Sequence, residues 1–493
     1  MFRFRNSLAV LFIFFSLSTS AKFDFNPNCV KAYKEIFGLK LKSARTLIET
    51  EKKINPQNAI PYLLDSYVDY FTIITSESIA DFERLKRNKA ARLARIEKDD
   101  KSSPYYLFAQ AEIHLQWALT YGYFEEYFNS SIELNKAYRQ LQDNAKKFPG
   151  FLPNQKNIAI LDAVIGALPV GLKRAISVIG IKGNTQKGIK TLENLLISLP
   201  QSPYAHFYDD VVFLLAYVQT DIVSDHSSYP KILAYAQKID SSSLLKSYII
   251  SYSAMRTAHT EVALATLNNR PAGPEYQNYD YLDYMAGTIR MRKLDHTATS
   301  YFQSYLHKYK GINYIKDTYL NLAWIALING NKDVCKKYIE LVKTKGNAIH
   351  DKDKQALQEI NDPMPDVDLL KARLLCDGGY YTKALAEIKD KRITDLKHLR
   401  DRIELFYRLG RIYDELNQDD LSIKFYQSAM DMGKEERYYF ASNAALRLAA
   451  IYEKKKDHKK AREFYQIALD MDNHDYERST DSKAKEGLRR TGG

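Results

Sequence analysis

The chain has 493 residues, of which 45% are hydrophobic and 27% are charged. That composition excludes a disordered chain and supplies enough apolar material for a substantial core. With only 14 Pro and 20 Gly, the sequence favours helices over a turn-rich β fold. The formal net charge of +12 comes without a basic-aromatic module, so it indicates acidic protein, glycan or lipid surfaces and no nucleic acid partner.

Residues 1–21 have the order of a secretory signal peptide. Arg3 and Arg5 are followed by an apolar run from Leu8 to Phe15 and by the small residues Thr19-Ser20-Ala21. A run of about eight apolar residues is far shorter than the roughly 20 needed to span a bilayer. We therefore expect cleavage after this segment, a mature chain that is still basic, and export to the periplasm or cell envelope.

The front region, residues 22–240, shows divergent helical repeats. A spacing of a small residue, an apolar residue four positions later and a Pro eight positions after that occurs three times: Ala44, Ile48, Pro56; Ala137, Leu141, Pro149; Gly188, Leu192, Pro200. Pro ends a helix for steric reasons, so each match predicts a helix and its end. A charged helix from Ile79 to Lys98 lies between the first and second matches, and we expect its charged face to be solvated.

Residues 155–188 contain the most unusual segment of the front region. Ile158 to Leu172 is nearly all apolar, and Lys173 and Arg174 follow it. Fifteen residues are too few to span a membrane, so this is a buried or an interfacial helix. The second alternative implies peripheral contact of residues 158–182 with an anionic membrane.

The back region, residues 241–475, contains a countable repeat. Small residues 12 positions apart mark the expected crossing of two helices in six hairpins: Ser251 and Ala263, Ala286 and Ala298, Ala323 and Cys335, Ala372 and Ala384, Gly410 and Ser422, Ala449 and Ala461. The longest interval contains Asp362-Pro363-Met364-Pro365, the expected linker. Residues 476–493 form a polar basic tail that is expected to fray.

The pattern is clearest from Glu404 to Asp470. Leu409-Gly410 and Tyr413 precede Ser422, Tyr426 and Ala429, and 39 residues later the same places hold Leu448-Ala449, Tyr452, Ala461, Tyr465 and Ala468. This stretch resembles the tetratricopeptide repeat family, with Phe406 and Ala445 at the usual Trp position. Residues 155–195 are also similar to eukaryotic tetratricopeptide proteins of the inclusion-body-clearance family. The resemblance implies an all-α superhelix of helical hairpins, an α-solenoid whose concave groove binds a partner.

Catalytic and metal-binding patterns are incomplete. Ser243-x-x-Lys246 lacks the companion motifs of acyl-serine enzymes, and the acidic residues from Asp470 to Asp475 lack the Gly and Glu of a calcium loop. No phosphate loop or paired metal-ligand His is present. We therefore expect no enzyme activity, no cofactor and no metal.

The three cysteines are an odd number without a CxxC pair. Because Cys335 occupies a small packing site, we expect free thiols. A bridge between Cys335 and Cys376 is the alternative, and pairing with Cys29 also stays open.

The groove can be placed by helical geometry. Residues three before, one after and four after each small site of a first helix form one stripe, and the resemblance implies that this stripe lines the groove. The polar and aromatic members are Asp283, Arg290, Trp324, Arg373, Tyr407, Arg411, Asp414 and Glu453. Trp324 and Tyr407 would serve as apolar anchors and the arginines as carboxylate partners. Alternatively, Trp324 simply packs between repeats.

The sequence thus predicts an exported, non-enzymatic scaffold that binds a protein or peptide. A solute-binding protein for glycan uptake at a bacterial envelope is the alternative, although no lipidated cysteine follows the signal segment. Peripheral membrane association is a third possibility.

Overall fold

The computed structural model describes residues 23–168, 173–174, 176–177 and 180–492. The expected signal peptide lies outside these residues, as does part of segment 158–182. The described chain consists of helices and connections without a strand, which confirms the all-α prediction. None of its helices is long and apolar enough to cross a membrane.

Eleven helices form the front region of the described chain. They are α1 (Pro27–Phe37), α2 (Leu41–Ile54), α3 (Ile60–Ser76), α4 (Ile79–Lys86), α5 (Asn88–Ile96), α6 (Pro104–Tyr123), α7 (Tyr127–Lys147), α8 (Leu152–Ala167), α9 (Thr185–Ser198), α10 (Tyr208–Tyr217) and α11 (Tyr229–Ala236). The pairs α1–α2, α6–α7 and α8–α9 pack as hairpins, and α3 packs between α2 and α6.

The back region continues the stack of hairpins. Its helices are α12 (Leu244–Arg256), α13 (Thr260–Asn268), α14 (Tyr281–Arg292), α15 (Ala298–Lys308), α16 (Ile315–Ile328), α17 (Lys332–Thr344), α18 (Asp351–Glu359), α19 (Val367–Asp377), α20 (Tyr381–Ile388), α21 (Leu399–Glu415), α22 (Asp419–Gly433), α23 (Phe440–Lys454), α24 (His458–Asp470) and α25 (Glu477–Arg490). All twelve predicted small sites lie in these hairpins and are buried.

One turn geometry joins the two helices of hairpins in both regions. The connection contains a residue with φ between 56° and 82°, and the next residue donates its N–H to the carbonyl five positions earlier at 2.8–2.9 Å: Leu39, Glu125, Ala258, Leu294, Gly330, Gly379, Asn417 and Lys456. This is a Schellman ending that satisfies free carbonyls at the end of the first helix. Only two of these eight residues are glycine, so most of these helix ends cannot be recognised in the sequence from a glycine.

The front region also contacts the back region directly. Backbone N–H groups of Leu244 and Gln277 donate to the carbonyls of Gly38 at 3.2 Å and Leu39 at 2.7 Å. Tyr309 donates its hydroxyl hydrogen to the buried Glu77 carboxylate, 232 residues away in sequence. A single hydrophobic core therefore extends across residue 240, from Phe23 to Leu374.

The C-terminal residues differ from the prediction of a frayed tail. They form α25, which packs on α23 and α24 through Thr480, Ala484 and Gly487. Gly487 lies directly on the Tyr465 ring, where a Cβ atom would not fit. Arg490 Nε donates to Glu453 Oε1 at 3.0 Å. The small residues of α25 lie on one face of the helix, so this face packs closely although the rest of the segment is polar.

Candidate inner surface of the superhelix

The first helices of the back-region hairpins lie on the inner side of the stack. These helices, α12, α14, α16, α19, α21 and α23, contact one another in succession, whereas contacts between successive second helices are marginal or absent. Stacked hairpins that are closer on one side curve toward that side. The first helices therefore line the concave face, as the repeat architecture requires.

Tyrosine rings form a continuous row on this face. We call Tyr248, Tyr252, Tyr279, Tyr281 and Tyr314 the inner tyrosine row. Ring centroids are 5.3 Å apart for Tyr248 and Tyr252, 5.4 Å for Tyr248 and Tyr279, and 4.8 Å for Tyr281 and Tyr314. Four of the five rings are half-buried and Tyr281 is buried. The row is therefore partly open to solvent.

The tyrosines remain neutral hydrogen-bond donors. Burial raises the pKa of Tyr252, and Tyr252 donates to Asp221 Oδ1 at 2.5 Å. Burial also raises the pKa of Tyr281 and Tyr314. Each ring thus offers an apolar face together with a polar hydroxyl.

Arginines continue the surface toward the C-terminus. We call Arg256, Arg292, Arg411 and Arg447 the inner arginine row. Arg411 contacts Asp377 at 2.6 Å and Arg447 lies 3.9 Å from Asp414, whereas Arg256 is exposed and has no salt bridge within the described residues. Burial acts to raise the pKa of Asp377, but Arg411 and Arg292 outweigh it and hold that pKa far below its usual range.

Helix α25 reaches the end of this row. Burial, followed by the repulsion of Arg447 and Arg256, lowers the pKa of the Lys483 ammonium. Cations from α12, α23 and α25 are therefore near one another although they are far apart in sequence. A negatively charged ligand group would relieve their repulsion.

Five predicted groove residues lie in or next to this part of the surface, and each has an intramolecular partner. Arg373 contacts Glu359 at 2.6 Å, Arg411 contacts Asp377, Asp414 accepts a hydrogen bond from Tyr426 at 3.3 Å, and Glu453 accepts one from Tyr465 at 2.7 Å. Tyr407 is buried against Phe440. It is therefore a packing residue and does not present an open anchor.

Asp283 and Arg290 lie off the inner stripe. Asp283 contacts Arg270 at 2.7 Å and Lys308 at 3.0 Å, and Arg290 donates to Asn268 at 2.7 Å. Gly287, one residue after the predicted crossing site Ala286, also lies against the second helix of this hairpin. A Cβ atom on Gly287 would lie 2.8 Å from the Phe302 ring, much as one on Gly410 would meet Tyr426. One residue rotates a helical stripe by about 100°.

Trp324 is buried, with 2% of its surface exposed. Helix α18, which ends just before the expected linker at Asp362-Pro363-Met364-Pro365, packs on α16. Asp353 of α18 accepts backbone hydrogen bonds from Tyr314, Lys316 and Asp317 at the start of α16. The alternative reading of Trp324 as a packing residue is therefore correct.

The stripe of the first hairpin was missed by the sequence reading. Tyr248, Tyr252 and Arg256 stand three before, one after and five after Ser251, on one face of α12. The same rule applied to this hairpin would have found the first two.

The described residues contain no group of three or more His, Cys, Asp or Glu side chains suited to hold a metal. Cys29, Cys335 and Cys376 are buried free thiols. The bridge from Cys335 to Cys376, which was the alternative to free thiols, is therefore absent from this structure.

Comparison with known proteins gives a family match in the C-terminal part. Residues 403–432 and 442–475 match the tetratricopeptide repeat family, which confirms the resemblance of the Glu404 to Asp470 stretch. No curated protein matches the chain. Similar solved structures include the yeast Tom70, with 11% identity, 94% of this chain and 95% of that chain covered and a TM-score of 0.24. Another is the APC/C hetero-tetramer Cut9-Hcn1, with 10% identity, 94% and 97% coverage and a TM-score of 0.20.

Proposed function

We propose that this tetratricopeptide repeat protein is a non-catalytic scaffold that holds an extended segment of a partner protein along its inner face. The observation that carries the proposal is the continuous surface formed by the inner tyrosine row and the inner arginine row. Tyrosine rings of neighbouring hairpins pack against each other there, and Arg411 pairs with Asp377 of the preceding hairpin. A polypeptide is the ligand whose length matches a surface that spans several repeats.

The two rows suit different parts of such a segment. Tyrosine is rigid and combines a broad apolar surface with a hydroxyl, which makes it a frequent hot-spot residue of interfaces. Arg411 and Arg447 already have carboxylate neighbours, whereas Arg256 has no salt bridge within the described chain. We therefore expect Arg256 to contact a carboxylate of the partner.

Arg256 offers a sharper test than the salt-bridged Arg373 and Arg411, whose loss would leave Glu359 and Asp377 unpaired. A photo-crosslinking amino acid at position 252 should attach a partner polypeptide from the cell fraction in which the protein resides. The same group at Lys336, an exposed residue of the outer helix α17, should not.

Charge reversal supplies the matched pair of variants. Arg256→Glu is expected to lower capture of the crosslinked partner by about tenfold, which corresponds to about 1.4 kcal/mol. Lys336→Glu makes the same change of charge on the outer side and should leave capture unchanged. Equal capture by both variants, with equal melting temperatures, would show that the inner face is not the binding surface.

Export is part of the proposal and is supported by the order of charged, apolar and small residues in segment 1–21. N-terminal sequencing of the protein from its native location should begin at or near Ala21 or Lys22. Recovery of an intact Met1 from that location would contradict export with cleavage.

A further inference from the structure

A group of apolar side chains is exposed where α6 ends and α7 begins. Phe128 is 78% exposed, Tyr127 65%, Leu119 42% and Ile132 38%. Ser130 Oγ donates to the Ala118 carbonyl at 2.7 Å, which holds the start of α7 against the end of α6. We call these four residues the apolar tip. Single exposed apolar residues are ordinary, but a group of them marks an interaction site.

Basic residues continue from the tip along the same face of α7. Phe128, Ile132, Lys136 and Arg139 follow one another at intervals of four, four and three residues, so they lie within about 80° of each other around the helix. Lys136 and Arg139 are exposed. The backbone N–H of Lys182 is 3.5 Å from the Tyr138 hydroxyl, which places this third exposed basic residue beside α7. We call Lys136, Arg139 and Lys182 the basic band.

The acidic residues near the band are already paired. Glu133 is 2.6 Å from His114 and 2.9 Å from Lys89, as well as 3.7 Å from Lys136. Glu126 is 2.9 Å from Lys86, and Asp143 is 3.7 Å from Lys146. The exposed Glu125 lies at the tip itself, where it accepts a hydrogen bond from the Tyr127 hydroxyl at 3.5 Å. The excess of positive charge is therefore at the basic band, beyond the apolar groups.

We propose that the apolar tip and the basic band dock this protein peripherally on an anionic membrane surface. Aromatic side chains beside Lys and Arg are the combination that favours the boundary between lipid headgroups and acyl chains. Each Lys or Arg near an anionic lipid surface adds electrostatic attraction. No described helix can span a membrane, so the contact is with one surface only.

A second copy of the chain fits this site less well. The exposed part of four side chains amounts to roughly a few hundred Å², whereas a stable interface needs about 800 Å² per partner. Like charges of two basic bands would also repel each other across such an interface.

Apart from Lys182, the site differs from the sequence-based expectation of membrane contact through residues 158–182. Ile160, Leu161 and Ile165 of α8 are buried in the protein core, so they are not available to lipid. Residues 169–172 lie outside the described part of the chain.

Co-sedimentation with lipid vesicles tests the proposal. The chain is prepared from Lys22, which retains all described residues and removes the apolar leader. Vesicles of phosphatidylcholine and phosphatidylglycerol in a three-to-one ratio are compared with vesicles of phosphatidylcholine alone. The variant Phe128→Ser with Ile132→Ser removes the tip, and Lys136→Glu with Arg139→Glu reverses the band. The matched control is Ile54→Ser with Ile197→Ser, which removes two exposed apolar residues elsewhere, 62% and 69% exposed.

Wild type and the control variant should sediment with the anionic vesicles, and each tip or band variant should bind about tenfold more weakly. Binding to phosphatidylcholine alone should be weak for all four proteins. The proposal is overturned if wild type does not bind, if it binds neutral vesicles equally well, or if the control loses as much binding as the tip variant. A concentration-dependent dimer that only the tip variants lose would assign the tip to a second copy instead.

Discussion

The front and back regions bury charge in different ways. In the front region, one fully buried cluster brings together side chains from five helices: Tyr33, Tyr67, Glu112, Lys156 and Asp210. Lys156 Nζ contacts the Glu112 carboxylate and lies 2.9 Å from Asp210 Oδ2. Tyr33 donates to Asp210 at 2.8 Å and Tyr67 to Glu112 at 2.5 Å. These partners are separated by 44 to 177 residues in sequence.

In the back region, one buried charge cluster is built within a single helix. Glu404 lies between Arg400 and Arg408 on α21, at 2.7 Å from each, one helical turn away in either direction. A spacing of four residues brings two side chains together on one helix, so such ion pairs can be predicted from the sequence of that helix. The partners of the front cluster, in contrast, meet only when α1, α3, α6, α8 and α10 have packed, so no spacing within one helix predicts them.

The two clusters also affect their carboxyl groups in opposite directions. In the front cluster, burial outweighs the attraction of Lys156 and raises the pKa of Asp210. In the back cluster, burial is outweighed by Arg400 and Arg408, which lower the pKa of Glu404 to about 2. Acid should therefore weaken the back cluster while the front carboxyl accepts a proton without loss of folded-state stability.

The largest expected effect comes from breaking the front cluster. Lys156→Met leaves Glu112 and Asp210 buried without their cation, and loss of one partner of a buried ion pair costs about 3–5 kcal/mol. Urea unfolding followed by Trp117 fluorescence, in a Trp324→Phe background, measures this loss. Lys187→Met is the matched control, because Lys187 itself is exposed where it contacts Asp162 at 2.9 Å, so this pair should contribute at most about 1 kcal/mol. If both variants lose the same unfolding free energy, burial of the Lys156 cluster does not make its ion pairs more important than an exposed one.

The next effect is a pH dependence of the back region. The pKa of Glu404 is about 2 in the folded chain against an ordinary value of 4.5, so its contribution is complete above pH 4.5 and is lost as the pH falls toward 2. The total is roughly 3 kcal/mol. Unfolding free energies at several pH values, followed by Trp324 in a Trp117→Phe background, should decline over this range. Glu404→Gln should flatten this decline, and an unchanged slope would assign the acid sensitivity elsewhere.

A smaller effect is expected at the crossing of the last hairpin. Ala449 is fully buried where α23 meets α24, whereas its neighbour Ala450 is exposed. Ala449→Leu should cost about 1–3 kcal/mol by overpacking, and Ala450→Leu should change stability by less than about 0.5 kcal/mol. Thermal denaturation of the two variants decides the matter. If the variants melt together, α23 does not cross α24 at Ala449.

Oxidation state should have no effect on either region. Burial raises the pKa of the Cys29 thiol to about 12 and also raises the pKa of Cys335 and Cys376, so all three should react slowly with thiol reagents in the native protein. Titration after denaturation without reductant should count three thiols. Fewer than three would show that a disulfide forms.

Local residue spacing is enough to specify the helical hairpins of the back region. Gly410 and Tyr426, or Ala449 and Tyr465, recur at fixed spacing because two helices cross closely only where one side chain is short. The same local rule placed Arg411 and Asp414 next to their neighbours on the inner surface. It also identified Cys335 as an apolar packing residue.

The position of the groove residues, the burial of Trp324, the C-terminal helix and the front cluster depend on contacts between helices that are distant in sequence. Asp283 pairs with Arg270 and Lys308, and Arg290 pairs with Asn268, so both lie toward the second helices and not in the groove. Trp324 is buried, and the small residues Thr480, Ala484 and Gly487 pack α25 against α23 and α24. The front cluster around Lys156 depends on partners up to 177 residues apart in sequence, and no local spacing encodes such contacts, because they exist only after the helices have packed.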